Sequence, residues 1–240
     1  MSYQIVTVST HRPVQWYYTY DQFFKTCADK TPLVLDGKFA FYSGLGSKPK
    51  MLYKAIKEGL IKTKHLFFLD SWDMFFAKHP DMFYSRYISC FDSPIVISSE
   101  KNCFPADTKE QYDALNPPTS YKYLNSGMIV GETEAILEAL EAMELHNVPD
   151  DYMGGDGQMV HINDQALWLE LFLKQPVKMV LDYNQDLCQT LHDVNIDAFE
   201  FDKFGIKNIE TGSYPYLFHA NGSAKDSGVK EPIMKHLGLL

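Results

Sequence analysis

The chain has 240 residues, of which 45% are hydrophobic and 14% aromatic, so it can bury the core of a globular domain. Its formal net charge of −9 argues against a general binder of nucleic acids or acidic membranes. It also means that a diphosphate ligand would need a metal ion or a few well-placed lysines. The four cysteines lack metal-site spacing, which is typical of free thiols in a reducing compartment.

No apolar run approaches the roughly 20 residues of a membrane span. The first residues enter a strand directly and lack a basic segment followed by an apolar leader. We therefore expect one domain over residues 1–240, in a soluble cytoplasmic protein that makes no membrane contact.

Apolar runs typical of buried strands alternate with helix-forming segments, which predicts an α/β fold with helices on both faces of a central sheet. Little helix is expected between residues 98 and 130, which favours some antiparallel pairing there. The predicted strands cover residues 4–9, 32–36, 65–69, 94–100, 177–181 and 216–219. The predicted helices cover residues 15–27, a segment after residue 50 with Leu52, Ala55, Ile56 and Leu60 on one face, and residues 132–145 and 164–174. Loops are predicted over residues 44–50, 102–121 and 150–157, and residues 123–131 as a loop that enters a strand.

The apolar run of residues 65–69 ends in two carboxylates, Asp70 and Asp73. Open α/β sheets bind ligands at the edge where such strands end. In a continuing strand the two side chains would point to opposite faces, but they converge if the chain turns after Asp70. Converging carboxylates repel unless a cation lies between them, and Mg²⁺ and Mn²⁺ prefer oxygen ligands. This pattern predicts a divalent metal site.

Later strands end in further polar groups that could share this edge. Glu100 ends one strand and His219 ends another. Asn125, Ser126 and Gly127 offer an amide, a hydroxyl and a bare backbone N–H in succession, which suits a polyhydroxylated ligand. Standing alone, these three residues would instead be an ordinary turn before a strand.

Three more residues allow both a structural and a functional interpretation, and Lys225 allows a functional one. Asn163 and Asp164 open a helix, where either is an ordinary cap, or Asp164 faces the cleft and accepts a hydrogen bond from a ligand hydroxyl. Trp72 either fills the core or offers its ring to a nucleobase. Lys225 could reach a phosphate as a point charge.

Taken in order, these residues resemble the glycosyltransferase domain of the procollagen lysyl hydroxylases, which has a GT-A fold with a mixed, mainly parallel sheet. The resemblance covers most of the chain, from residues 7–10 to about residue 239. The matching motifs are Leu69-Asp70-Ser71-Trp72-Asp73, Ser98-Ser99-Glu100, Tyr123-Leu124-Asn125-Ser126-Gly127, Asp164-Gln165, Leu181-Asp182 and His219-Ala220-Asn221-Gly222 followed by Lys225.

This resemblance implies a metal-dependent transfer of a sugar, a hexose in the first instance, from a UDP-sugar to a hydroxyl group. Asp70, Asp73 and His219 would hold Mn²⁺, or Mg²⁺, against the diphosphate. Trp72 would pack on uracil. The other implied binding residues are Val8 and Thr10 at the nucleoside, Asn221, Gly222 and Lys225 at the phosphates, and Asn125, Ser126 and Gly127 at the donor. The implied catalytic residues, which would face the sugar and the acceptor, are Glu100, Asn163 and Asp164.

The sequence departs from the family pattern in two places. Asn163 stands before Asp164 where the family has an acidic run, and Ala220 replaces a glycine. The family works in the secretory pathway, but no signal peptide is recognisable here. We therefore expect a microbial or viral relative that acts in a cytoplasm, the host's if it is viral.

The acceptor stays open among a hydroxylysine-like side chain, a glycan, a small molecule and a hydroxymethylated base of viral DNA. Two alternative functions use the same residues. A nucleotidyltransferase would employ the metal-carboxylate edge to release pyrophosphate, and a non-catalytic module would bind a nucleotide-sugar without turning it over.

Overall fold

The computed structural model describes residues 3–9, 18–40, 44–105, 108–154, 158–225 and 228–240. The strands are β1 (Tyr3–Val8), β2 (Leu33–Leu35), β3 (His65–Leu69), β4 (Met74–Phe76), β5 (Ile95–Glu100), β6 (Tyr123–Glu132), β7 (Tyr152–Met153), β8 (Met159–Val160), β9 (Met179–Asp182), β10 (Cys188–Thr190), β11 (Phe199–Asp202), β12 (Gly205–Asn208) and β13 (Leu217–His219). The α-helices are α1 (Tyr18–Thr26), α2 (Ser47–Lys57), α3 (Pro80–Cys90), α4 (Lys109–Asp113), α5 (Thr133–Ala142), α6 (Asp164–Lys174) and α7 (Lys230–His236), with short 3₁₀ turns at Ile196–Ala198 and Gly222–Lys225.

The central sheet has six strands in the order β2-β1-β3-β6-β5-β9. β1 is parallel to both β2 and β3, and β5 is parallel to β9. β6 runs antiparallel between β3 and β5, as expected for a chain with little helix between residues 98 and 130. The prediction of a mixed, mainly parallel sheet is therefore confirmed.

Both faces of this sheet are covered, which explains why β3 is apolar at every position. Leu66 and Phe68 belong to one hydrophobic layer, and Phe67 and Leu69 to the opposite one. The helices contribute Leu52, Ile136 and Trp168 to the first layer and Phe23 and Phe83 to the second. Helices therefore lie on both faces, as predicted.

A second sheet, in the order β10-β13-β4, adjoins the end of β3. β13 is parallel to β10 and antiparallel to β4. In this pairing His219 lies opposite Met74, and the Ala220 N–H donates to the carbonyl of Asp73 at 2.8 Å. The second sheet thus brings the end of β13 to the turn that follows β3.

The prediction of a loop over residues 44–50 is wrong, because α2 begins at Ser47. Pro49 lies in its first turn, where the missing N–H of proline costs no helical hydrogen bond. Leu60 was expected on the buried face of this helix but is 48% exposed. Gly59, with a φ of +73°, turns the chain after the helix, and Ile61 takes the buried position instead.

Three further local predictions need correction. Residues 123–131 form no loop, because β6 pairs with β5 from Tyr123 onward. The segment of residues 102–121 contains α4. In the predicted loop of residues 150–157, β7 pairs with β8, and residues 155–157 lie outside the described part of the chain. In the first two segments, partners distant in the sequence stabilise the structure, since β6 pairs with β5 and Tyr112 of α4 accepts the Leu124 N–H, whereas β7 and β8 form a local hairpin.

All four cysteines carry free thiols, as their spacing predicts. Cys27 and Cys188 are buried, whereas Cys90 is exposed. Among the residues that the structure describes, no helix has both the length and the apolar character that crossing a membrane requires.

Candidate active site

Asp70, Asp73 and His219 come together where β3 ends. One possible ligand atom from each of these side chains lies within 4.8 Å of the other two. The chain bends between β3 and β4, so that Asp70 follows one strand and Asp73 precedes the next. His219 Nε2 lies 3.3 Å from Asp73 Oδ1. The fold thus brings together the three residues that were predicted as metal ligands.

The hydrogen bonds of Asn125 determine which nitrogen of His219 carries a proton. Asn125 Oδ1 accepts a hydrogen bond from the Gly127 N–H at 3.0 Å, and Asn125 Nδ2 donates to Glu100 Oε1 at 2.9 Å. Because a backbone N–H only donates and a carboxylate accepts, these partners assign the orientation of the amide. His219 Nδ1 lies 3.1 Å from the same Oδ1 and must therefore donate to it. With Nδ1 as the donor to Asn125, His219 directs its Nε2 towards Asp73.

This arrangement fits a divalent cation. The Nε2 lone pair of His219 and the Asp73 carboxylate are two acceptors that face each other, so a cation or a proton has to lie between them. The carboxylate of Asp70 adds a second oxygen ligand. Two carboxylates and one imidazole form a donor set that Mn²⁺ accepts, and Mg²⁺ shares the preference for oxygen.

Gly127 allows His219 to take this position. A Cβ added at Gly127 would lie 2.2 Å from Cε1 and 2.7 Å from Nδ1 of His219. The carbonyl of Gly127 also accepts the N–H of Asp70 at 2.9 Å. Only glycine lets the buried imidazole of His219 approach the strand this closely. Gly127 therefore has a packing role that is independent of any contact with a ligand.

Lys48 is a residue of this site that the sequence analysis missed. Its Nζ lies 2.7 Å from Asp70 Oδ1 and 3.1 Å from Asp164 Oδ2, and its side chain is almost fully buried. Burial alone would lower the pKa of Lys48, but the carboxylates of Asp164 and Asp70 outweigh burial and raise it. In turn, burial raises the pKa of Asp70, and the Lys48 ammonium opposes that rise.

The sequence contained a signal for Lys48. A lysine in the first turn of a helix lies at the positive end of the helix dipole, which is unfavourable without a compensating anion. The first turn of α2 contains no acidic residue of its own. If the helix had been predicted to start before Pro49, the uncompensated charge of Lys48 would have indicated anionic partners from other parts of the fold.

Asn163 and Asp164 lie at the start of α6. Asn163 is the N-cap, and its Oδ1 accepts the Gln165 N–H at 3.0 Å, as predicted. Asp164 is buried and paired with Lys48. Lys48 thus bridges the carboxylates of Asp164 and Asp70. Contact between Asp164 and a ligand hydroxyl stays a prediction.

Glu100 lies at the end of β5 and is buried. Its Oε1 accepts hydrogen bonds from Asn125 Nδ2 at 2.9 Å and Gln165 Nε2 at 3.3 Å, and its Oε2 accepts from Asn221 Nδ2 at 2.8 Å. His192 Nδ1 lies 3.7 Å from Oε2. Burial raises the pKa of Glu100, and the hydrogen bonds from Asn125 and Gln165 oppose that rise. Both oxygens of the predicted catalytic carboxylate thus have protein partners.

Ser126 and Asn221 fix the backbone around this carboxylate. The Ser126 N–H donates to Gln165 Oε1 at 3.2 Å. Asn221 Oδ1 accepts the N–H groups of Leu191 and His192, each at 3.1 Å. These contacts join β6 to α6 and the end of β13 to the segment after β10.

Gly222 follows Asn221 and has a φ of +55°. A Cβ at this position would lie 2.3 Å from His192 Nδ1, so the ring packs directly on the glycine backbone. Both the backbone conformation and the close approach of His192 require glycine here.

Two of the residues predicted for the nucleoside, Val8 and Trp72, lie near the end of β1. Val8 is half-buried there, and the half-buried Trp72 places its Nε1 3.4 Å from Ser9 Oγ. Thr10 and the side chain of Lys225 lie outside the part of the chain that the structure describes. The fold therefore brings Trp72 and Val8 to the same end of the sheet, next to the Asp70–Asp73 turn.

Comparisons with known proteins indicate the family and the fold of the chain. A family model described as the PLOD GT domain matches residues 27–228. The chain is 34% identical over 135 residues to the uncharacterized protein R699 of Acanthamoeba polyphaga mimivirus. That match covers 56% of this chain and 26% of the viral protein, so the chain spans about a quarter of this relative.

Two solved structures share the fold. One is a glycosyltransferase involved in the glycosylation of the major capsid of PBCV-1, with a TM-score of 0.51 and 12% identity over 98% of this chain and 99% of that chain. The other is mouse xyloside xylosyltransferase 1, with a TM-score of 0.52 and 13% identity over 92% of this chain and 98% of that one. Since the family model covers well over half of its residues, the chain belongs to the PLOD GT domain family and is a glycosyltransferase with a GT-A fold.

Proposed function

We propose that this glycosyltransferase transfers a hexose from a UDP-sugar to a hydroxyl group and that it requires Mn²⁺ or Mg²⁺. The observation that carries the proposal is the cluster of Asp70, Asp73 and His219, in which Nδ1 of His219 faces Asn125 Oδ1 and Nε2 faces Asp73. Membership in the PLOD GT domain family supports the same assignment.

The proposed chemistry centres on charge that develops on the UDP diphosphate as the bond to the sugar breaks. When bound by Asp70, Asp73 and His219, the cation would act as a Lewis acid towards the diphosphate oxygens. Asn221, Gly222 and Lys225 lie within six residues after His219 in the chain, so we assign them to the same diphosphate. Positioned groups of this kind stabilise a transition state by facing the charge as it forms.

On the nucleoside side, we assign Trp72 to stacking on uracil and Val8 and Thr10 to the wall of the pocket. The support for Trp72 is its place within the Asp70–Asp73 turn and its contact with the Ser9 hydroxyl at the end of β1. A base stacked on this ring would leave its diphosphate next to the carboxylates.

On the sugar side, we assign Asp164 to the donor sugar or the acceptor hydroxyl. Lys48 supports this assignment, since it links the Asp164 carboxylate to Asp70 and so holds the helix start beside the metal ligands. Asn163 holds the same helix start as its cap. Asn125, Ser126 and Gly127 would form the floor beneath the sugar.

The acceptor carries a hydroxyl group on a protein side chain, a glycan, a small molecule or a modified base. The net charge of −9 disfavours the modified DNA base. Family membership gives no support to a nucleotidyltransferase. A cytoplasmic setting and a viral or microbial origin stay predictions.

A donor panel tests the proposal. The wild-type protein is incubated with Mn²⁺ and single UDP-sugars, with and without cell extract as acceptor, and UDP release is measured. We expect one donor to be turned over, and chelation of the metal to stop the reaction. Release of pyrophosphate from nucleoside triphosphates would contradict the proposal, as would UDP binding without turnover of any donor.

Alanine variants connect turnover to the proposed ligands. Asp70→Ala and Asp73→Ala should each lower turnover by at least about 100-fold, because even residues behind a ligand affect metal sites by 10–100-fold. Asp92→Ala is the matched control, since the Asp92 side chain is fully exposed on the surface. Turnover that persists in both ligand variants would refute the metal site.

A further inference from the structure

Glu100 connects three segments of the site. Its carboxylate accepts hydrogen bonds from Asn125 in β6, from Gln165 in α6 and from Asn221 after β13. Glu100 itself is only 3% exposed. A carboxylate whose two oxygens are occupied by three amide groups in a buried position is poorly placed to contact a sugar.

Among these contacts, the one with Asn125 leads to the metal ligands. Glu100 accepts from Asn125 Nδ2, which leaves Asn125 Oδ1 facing His219 Nδ1 at 3.1 Å. We infer that Glu100 is a positioning residue that keeps Nδ1 of His219 in the donor role, through Asn125, and thereby directs Nε2 towards the cation. This inference rests on the proposed metal site and assigns Glu100 a different task from contact with the sugar.

The physical reason is that a carboxylate can only accept hydrogen bonds, whereas an amide side chain can accept or donate. If residue 100 were an amide, Asn125 could rotate its side chain and present Nδ2 to His219 Nδ1. His219 would then accept at Nδ1 and carry its proton on Nε2, where it would donate to Asp73. The N–H of Gly127 and the hydroxyl of Ser98, which lie 3.0 and 3.3 Å from Asn125 Oδ1, would still oppose that rotation. Such partners behind a metal-binding histidine typically change metal affinity by 10–100-fold.

The test is a titration with Mn²⁺ alone, in which the electron paramagnetic resonance signal of the free aqueous ion gives the Kd. We expect Glu100→Gln to weaken Mn²⁺ binding by about tenfold. The matched control is Asp182→Asn, which also turns a buried carboxylate into an amide. Asp182 accepts the backbone N–H groups of Asp186, Leu187 and Cys188. The Asp182→Asn protein should therefore be less stable than wild type but bind Mn²⁺ with the same affinity.

A double substitution separates positioning from a general loss of structure. In Glu100→Gln/Asn125→Asp the two side chains exchange carboxylate and amide, so the new carboxylate at position 125 accepts from Gly127 and His219 while the amide at position 100 donates to it. We expect this variant to bind Mn²⁺ within about threefold of wild type, because the acceptor behind Nδ1 is restored. It remains informative even where Glu100→Gln alone does not fold.

The outcomes distinguish this inference from the proposed function. A wild-type protein that binds no Mn²⁺ would refute the metal site itself. If wild type binds Mn²⁺ and Glu100→Gln binds it equally well, the metal site stands and the role of Glu100 is refuted. A folded double variant that binds as weakly as Glu100→Gln would refute it as well. In metal-free wild type at alkaline pH, the ¹⁵N shifts of His219 should report a proton on Nδ1, and the other tautomer would contradict the inference.

Discussion

The ammonium group of Lys48 separates two carboxylates that belong to different segments, Asp70 after β3 and Asp164 at the start of α6. We expect Lys48→Met to lower the free energy of unfolding by about 3 kcal/mol, because removing one partner of a buried ion pair leaves an uncompensated charge. Urea denaturation of the metal-free protein measures this loss. Added Mn²⁺ should recover part of it, since a cation on Asp70 replaces one of the two lost contacts.

Lys50 provides the control within the same helix. It pairs with Asp150, whose side chain is 55% exposed, at 2.9 Å. Exposed pairs of this kind contribute about 0–1 kcal/mol, so Lys50→Met should change the unfolding free energy by less than about 1 kcal/mol. Equal losses in the two variants would show that Lys48 is not a buried linking residue.

Gly127 makes a second prediction at the scale of a single residue. In Gly127→Ala the added methyl group would overlap the His219 ring, so the imidazole must move away from Asp73. We expect Mn²⁺ affinity to fall by about tenfold or more and stability to fall by about 1–3 kcal/mol. Gly228→Ala is the control, because a Cβ at Gly228 meets no atom within 4 Å. Unchanged Mn²⁺ binding in Gly127→Ala would contradict the close approach of His219.

At the scale of elements, substitutions of Asn163 at the start of α6 distinguish helix capping from contact with the substrate. Asn163→Ala should destabilise the protein by about 1 kcal/mol, because the Gln165 N–H loses its acceptor. Asn163→Asp keeps an acceptor at the cap and should unfold at the same urea concentration as wild type. If turnover falls in this stable variant, Asn163 also contacts the substrate, as the resemblance implies. Equal stability of the alanine variant would argue against the cap.

Element boundaries were predictable where the pattern is local. The apolar run of β3 reflects burial on both faces, and Asn163 caps its helix as its position indicates. The start of α2 and the strand character of residues 125–127 were not predicted. Their polar residues are held by partners from distant segments, and periodicity in the sequence contains no information about those partners.

The same reasoning applies to the site. The pattern at Asp70 and Asp73 indicated a metal site, and His219 was a candidate at the end of another strand. Its assignment as a ligand came from the resemblance, because its approach depends on the pairing of β4 with β13. Lys48 was not predicted as a residue of the site because the start of α2 was not predicted. The hydrogen bonds that assign the tautomer of His219 involve three strands, and no spacing in the sequence encodes them.

At the scale of the whole molecule, the buried thiols of Cys27 and Cys188 should report the integrity of the core. Burial raises the pKa of Cys27 to about 12, and the reactive species is the thiolate. Cys27 and the buried Cys188 should therefore resist alkylation in the folded protein, even when the pH is raised from 7 to about 9, whereas the exposed Cys90 reacts. Mass spectrometry of the alkylated peptides measures this. Rapid labelling of Cys27 without denaturant would contradict the packing of α1 against the sheet.

The path of the chain through the site has a consequence for dividing the protein. Asp70 and Asp73 lie before the exposed stretch of residues 146–150, whereas His219 lies after it. A cut in this stretch would leave two pieces, and neither would hold all three of the proposed metal ligands. The later piece would have to add β9 to the edge of β5 and β13 to β4 before the ligands could meet. Recovery of Mn²⁺ binding would then serve as a reporter of fragment complementation, which makes this fold a starting point for a split enzyme.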